Sequence, residues 1–218
     1  MTLFRTDMAF LADIHTHRLP AVPGSALYSL PYGSDDIPEG QLCSAGFHPW
    51  DTCQDNSAGM EWVARMAADK RVVAIGECGL DRLRGAVLPE QVRILRYQIE
   101  LSEKFGKPLI LHVVRMTDQI LSLHSEYHPR MPWLVHGFRR GADCARQLLD
   151  AGIYVSFGTR FNGESMLCAG LDRLLLETDD SGLIQDVATS AAAVFGLSQE
   201  QILKIAAENA EKFLYGYC

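Results

Sequence analysis

The 218-residue sequence lacks any surplus of positive charge. Its 20 Lys and Arg stand against 27 Asp and Glu, a formal net charge of −7. Such a chain has no global field to draw in nucleic acid, so phosphate binding has to come from clustered arginines or bound cations. No C-x-x-C pair occurs among Cys43, Cys53, Cys78, Cys144, Cys168 and Cys218. That argues against a zinc ribbon or a disulfide framework. The cysteines are expected to be reduced, buried, small apolar residues of a cytoplasmic protein. No apolar run reaches the length of a membrane span. Met8-Ala9-Phe10-Leu11 is broken by Asp13 and is too short for a signal-peptide core, so no membrane association is expected. Low-complexity tracts and short repeats are also missing.

What is present is ordinary globular composition, 48% hydrophobic and 22% charged. It is read as one domain over residues 1–218. Short apolar runs predict strands near 9–14, 26–30, 42–47, 72–76, 109–114, 133–135, 154–157 and 174–176. Most are apolar at successive positions, as in strands covered on both faces. Helical stripes lie between the later ones. Met60, Val63, Ala64 and Ala67 share a face, as do Val92, Leu95 and Ile99 behind Pro89. A helix is expected over 141–151. Another starts at Ser198, with Gln201 completing a capping box and Ile202, Ile205 and Ala206 forming its stripe. Alternating strand and helix predicts a parallel sheet, and eight strands predict an α/β TIM-type (β/α)8 barrel. The chain is short for that fold. Segments 18–25 and 31–41 are rich in Pro, Gly and Asp and carry no helical pattern. A reduced barrel is expected, its early helices missing or replaced by loops.

Chemistry in such barrels sits at the C-terminal strand ends. The first strand ends in His15 and His17, which share a face with Asp13. Later ends carry His48 in GFHPW, Glu77 in AIGECGLD, His112 in LILHVV and His136 in LVHGF. The last carries Glu177, Asp179 and Asp180 in LLLETDD. Five of the seven histidines fall at such ends, which chance placement would not produce. Taken singly, each has a plainer use: Glu77 as a buried hydrogen-bonded residue, Asp179 as a cap, His112 as a core histidine. His124 and His128 are four apart but lack the H-E-x-x-H offset, and Pro129 closes their segment, so they are read as solvated. Imidazole and carboxylate suit zinc, manganese or similar ions. Four histidines and two carboxylates are enough for two ions with one carboxylate shared. Two ions about 4 Å apart clamp and activate water, and a neighbouring carboxylate can take its proton.

DIHTH, GFHP, AIGECGLD, LILH, VHGF and LLLETD, in this order, resemble the TatD-type metal-dependent hydrolases. That family includes deoxyribonucleases and belongs to the amidohydrolase-like barrel superfamily. The resemblance runs from about Ala9 to Phe213. It implies that His15 and His17 bind a first metal, that Glu77 bridges both, and that His112 and His136 bind a second. Asp179 would bind the first metal and act as general base, making Asp179 and Glu77 the catalytic carboxylates. His48 matches the family's G-x-H-P histidine, near phosphate or substrate. Asp81 matches the aspartate of the GLD run and would order the adjoining loop.

The departures fall in loops that shape the pocket. The helix after the first motif is replaced by Pro/Gly-containing loop. The arginine of H-x-R sits one place later, at Arg115, and H-x-F-S-G becomes His136-Gly137-Phe138-Arg139-Arg140-Gly141. The Ala-Pro after the last motif is Asp180-Ser181, and 158–172 is short. None removes a metal ligand. Arg82, Arg84, Arg115, Arg139, Arg140 and Arg160 follow strand ends and suit phosphate as bidentate forks, the alternative being a solvated rim. Arg115 and Arg139, with His48, are the expected substrate contacts. Few aromatics, only Trp50 and Phe138, are expected at the mouth.

Two divalent ions, zinc, manganese or more weakly magnesium, are the expected cofactors. The expected activity is phosphodiester hydrolysis, with DNA or another phosphodiester as transient partner. An amide, ester or small phosphate ester on the same site is the alternative. A non-catalytic metal-binding domain is a third reading, against which the full ligand set stands. The sequence carries no reading of the oligomeric state.

Overall fold

The computed structural model describes residues 10–53 and 55–216. Eight parallel strands close into a barrel in sequence order. They are β1 (Asp13–Thr16), β2 (Ala26–Ser29), β3 (Leu42–Ala45), β4 (Val72–Asp81), β5 (Leu109–Val114), β6 (Trp133–Val135), β7 (Tyr154–Phe157) and β8 (Leu175–Leu176). Asp13 pairs with Leu176 to close the ring. The helices are α1 (Ser57–Ala68), α2 (Leu88–Phe105), α3 (Thr117–Tyr127), α4 (Ala142–Asp150), α5 (Gly163–Ala169), α6 (Ile184–Phe195) and α7 (Gln199–Tyr215). Loops alone join β1 to β2 and β2 to β3, and a single 3-10 turn, Pro49–Asp51, precedes α1. The reduced barrel is what the Pro- and Gly-rich segments predict.

Two apolar layers hold it. One packs strand residues such as Val72, Ile75, Leu109, Val135 and Phe157 against helical Trp62, Ile94, Leu95, Leu148 and Ile202. The other joins Ile14, Leu27, Ala74, Ile110, Leu134 and Leu175, one from each of six strands, with Phe213 and Leu214 of α7. Ile110, Leu134 and Leu175 each sit two positions before His112, His136 and Glu177. Strand alternation therefore puts this apolar layer directly beneath those polar groups. The capping box at Ser198 and Gln201 forms as expected.

Three differences have physical causes. β4 runs to Asp81, beyond the expected stop at Gly76. Gly76 and Gly79 adopt φ of 147° and 144°, and a Cβ on either would strike β5 carbonyls at 2.5 and 2.0 Å. These glycines serve close strand pairing, where the sequence suggests a loop. β1 starts at Asp13, later than expected, and Ala9 lies outside the described residues. Helices α3, α5 and α6 have no counterpart in the sequence reading. α5 is only 7 residues long, and α3 buries only Ile120 and Leu123 fully.

The five described cysteines are free, yet only Cys43 and Cys78 are buried. Cys144 and Cys168 are half-buried and Cys53 is exposed, so the expectation of uniform burial is corrected; Cys218 lies outside the described residues. His128 is solvated at the end of α3, where it takes a left-handed φ of 44°. His124 is not, because its ring lies 5.0 Å from that of Trp133 and is half-buried.

Candidate metal centre

All six residues expected to ligate metal meet at one end of the barrel, with Glu77 at their centre. Its two oxygens face different partners. Oε2 lies 3.0 Å from His17 Nε2 and 3.4 Å from His15 Nε2. Oε1 lies 2.6 Å from His136 Nε2, 2.8 Å from His112 Nδ1 and 3.2 Å from His48 Nε2. Asp179 closes the first group, its Oδ1 3.7 Å from His17 Nε2 and 3.9 Å from His15 Nε2.

The backbone is shaped for this. β4 carries Glu77, buried at 6% exposure, into the centre. Asp179 adopts a left-handed φ of 54°, uncommon for a residue with a Cβ. One group of β1 and one just after it hold it there: Asp179 N–H donates to the His15 carbonyl at 3.0 Å, and His17 N–H donates to the Asp179 carbonyl at 3.1 Å. Asp13 braces the same junction by accepting from Thr178 N–H at 3.0 Å and Thr178 Oγ1 at 2.7 Å. Burial is the main force pushing the Asp13 carboxyl up to about 7.

Burial pushes the Glu77 carboxyl up, but the His136 charge and hydrogen bonds from His112 and His136 outweigh it and hold it well below the usual range. Burial pushes His136 down, while the Glu77 and Glu177 carboxylates pull it further up. Two carboxylates that drive a buried imidazole toward its cation make a site that draws positive charge. His15 is 0% exposed, and neither ring nitrogen has a hydrogen-bond partner. Buried polar atoms are rarely left so. A metal ion fits both observations. His15, His17 and Glu77 have ligand atoms within 4.8 Å of one another, and so do His15, His136 and Asp179.

His48, Glu77 and His112 also meet that distance, but hydrogen bonding gives His48 another part. Its Nδ1 accepts from Trp50 N–H at 3.1 Å. A neutral ring that accepts at Nδ1 carries its proton on Nε2, so His48 faces Glu77 as a donor. The sequence reading gave Glu177 no part. It sits fully buried behind His136, Oε1 3.5 Å from Nδ1, and accepts from Ser156 Oγ at 2.5 Å. Asp81 orders its loop as expected, accepting from Leu83 N–H at 2.7 Å, and also lies 3.2 Å from His112 Nε2. Gln98 holds Phe47 through both backbone groups, and Gln91 holds Asp81, Arg84 and Ala86. Neither glutamine carries a motif signal that sequence reading can use.

The centre opens into a cleft of about 790 Å³. Arg115, Arg139 and Arg140 line it, with Tyr32, Trp50 and Asp180. Of the other strand-end arginines, Arg84 stacks on Trp50 and Arg82 borders a small neighbouring pocket. Tyr32 is an aromatic at the mouth that the sequence reading omits. Phe138 also lines the cleft but is buried.

A model of the TatD related DNase family matches residues 34–215. The chain belongs to that family. Among its relatives is an Escherichia coli K12 protein named uncharacterized metal-dependent hydrolase YcfH. It is 30% identical over 192 residues, covering 76% of this chain and 71% of that one. The 3'-5' ssDNA/RNA exonuclease TatD of Erwinia billingiae is 33% identical over 147 residues, 62% of this chain and 56% of that one. The fold matches the crystal structure of YjjV, a TatD homolog from E. coli K12. That match has a TM-score of 0.76 at 18% identity and covers 94% of this chain and 98% of that one. The TatD-type assignment expected from the ordered motifs and the α/β barrel expected from the eight alternating strands are thereby borne out, and this TatD-type chain is a hydrolase. No helix among the described residues is long and apolar enough to cross a membrane.

Proposed function

We propose that the chain is a two-metal phosphodiesterase that hydrolyses DNA or a related single-stranded nucleic acid. The observation that carries this reading is the division of Glu77, one oxygen toward the β1 histidines and the other toward His112 and His136. A carboxylate so divided suits a bridge. His15, His17 and Asp179 would hold one ion and His112 and His136 the other. The bound pair would supply Lewis-acid polarisation of a phosphoryl oxygen and an acidified water.

The remaining roles belong to the chain. The Asp179 carboxylate would accept a proton from the attacking water as its oxygen bonds to phosphorus and the P–O ester bond breaks, the departing oxygen leaving as an alcohol once protonated. His48 keeps its hydrogen on Nε2, since its Nδ1 is engaged by Trp50, and a substrate oxygen entering beside Glu77 Oε1 would accept that hydrogen in place of Glu77. Arg115 and Arg139 bind phosphate oxygens as planar forks and supply locally the charge that an acidic chain lacks overall. The exonuclease name carried by the Erwinia relative supports nucleic acid over a small ester.

Metal-free protein should regain cleavage of a generic phosphodiester and of labelled single-stranded DNA when zinc, manganese or magnesium is added back. Asp179→Asn protein should lose about 100-fold or more of that rate, the lower range for a lost general base. Cleavage undiminished in Asp179→Asn would remove the base assignment. Metal bound without any phosphodiester cleavage would overturn the substrate reading.

A further inference from the structure

The 3-10 turn sets Trp50 at the wall of the cleft, 49% exposed. Its indole Nε1–H nevertheless points away from solvent and donates to Asp81 Oδ2 at 2.6 Å. The same oxygen lies 3.2 Å from His112 Nε2. The other oxygen accepts from Leu83 N–H at 2.7 Å. An indole and a backbone amide can only donate, so both oxygens of buried Asp81 act as acceptors here. His112 Nε2 then carries a proton, and with a cation between the ring and Glu77 in place of the hydrogen bond described above, the lone pair is on Nδ1, the atom 2.8 Å from Glu77 Oε1.

We propose that Trp50 is a positioning residue for the metal centre: its indole N–H fixes Asp81, and Asp81 fixes which nitrogen of His112 faces Glu77. The geometry separates this from other parts the residue plays. The hold on His48 runs through the Trp50 backbone N–H and survives any side-chain change. Arg84 sits over the ring, 4.4 Å from its centroid, and takes no part in the chain of hydrogen bonds. Groups that orient a metal-bound histidine change metal affinity by about 10–100-fold when lost. Trp50 acts one step further out, so the lower end of that range applies.

The inference rests on His112 being a ligand, and the test separates the two. Titration calorimetry with zinc is run on wild type, Trp50→Phe, Asp81→Asn, the double variant and Arg84→Ala. Phe keeps an aromatic ring at the position and removes the donor, and Arg84→Ala controls for the altered stacking. We expect Trp50→Phe to weaken one of two zinc ions about tenfold and Asp81→Asn to weaken the same ion. The double variant should be no weaker than Asp81→Asn alone, since both changes break one path. Arg84→Ala should bind as wild type does. Two ions held by Trp50→Phe at wild-type affinity, or losses that add in the double variant, overturn the inference alone. No zinc on wild type overturns the reading of the site, and the inference with it.

Discussion

At the scale of single residues, the centre depends on which atom of each side chain faces inward. Glu177 shows this most simply. Its carboxylate lies behind His136 Nδ1 and leaves Nε2 to face Glu77. Burial pushes Glu177 up, and the His136 charge outweighs it, so its carboxyl titrates below the ordinary range. Replacing Glu177 with Gln keeps the shape and removes the charge. Zinc affinity should fall by about 10–100-fold, as for other partners of metal-bound histidines. Competition with a chelator measures this, and wild-type affinity would show that Glu177 only fills space. The ligand candidates themselves were legible in the sequence because each sits at a strand end in a known order. Their supporting groups were not. Ser156 and Glu177 are 21 positions apart, and Phe47 and Gln98 are 51 apart. Only the closed barrel brings them together.

At the scale of elements, β4 and β5 decide whether Glu77 and His112 meet. The two strands approach so closely that a Cβ on Gly79 would lie 2.0 Å from the His112 carbonyl oxygen. Gly79→Ala also forces an alanine to φ of 144°. It should lower stability by well over about 1 kcal/mol, the scale for an incompatible glycine replacement. Urea unfolding reads the loss, and an unchanged midpoint would mean that the strands are not paired this tightly. Apolar runs bounded by turn residues located all eight strands, since burial on both faces leaves a clear mark. The same reasoning misplaced the end of β4, because Gly76 and Gly79 read as punctuation when they permit contact. α6 escaped notice because its buried face is mostly alanine, with Ala188, Ala191 and Ala192 beside Val187. Such a face has little periodic contrast.

At the scale of the whole molecule, an acidic chain with a net charge of −7 is proposed to bind a polyanion. Only local charge reconciles the two, and the cleft arginines supply it. Arg139→Ala should raise KM for single-stranded DNA while leaving zinc content unchanged. It should also flatten the dependence of log binding on log salt by about 0.7, the contribution of one phosphate contact on a single strand. An unaltered salt slope would place Arg139 on the solvated rim. Barrel closure and the missing early helices were legible from strand count and from the Pro-rich segments 18–25 and 31–41. The cleft was legible only in part: His48, Trp50, Arg115, Phe138 and Arg139 were expected there, whereas Tyr32 and Pro31 come from a loop whose path no periodicity encodes.

The central claim is that one carboxylate serves two ions, and counting the ions on Glu77→Gln protein tests it most directly. Equilibrium dialysis against zinc, read by elemental analysis, should give two ions on wild type and weakened binding at both positions in the variant. Two ions retained at wild-type affinity would contradict the account, because Glu77 would then not be the bridge.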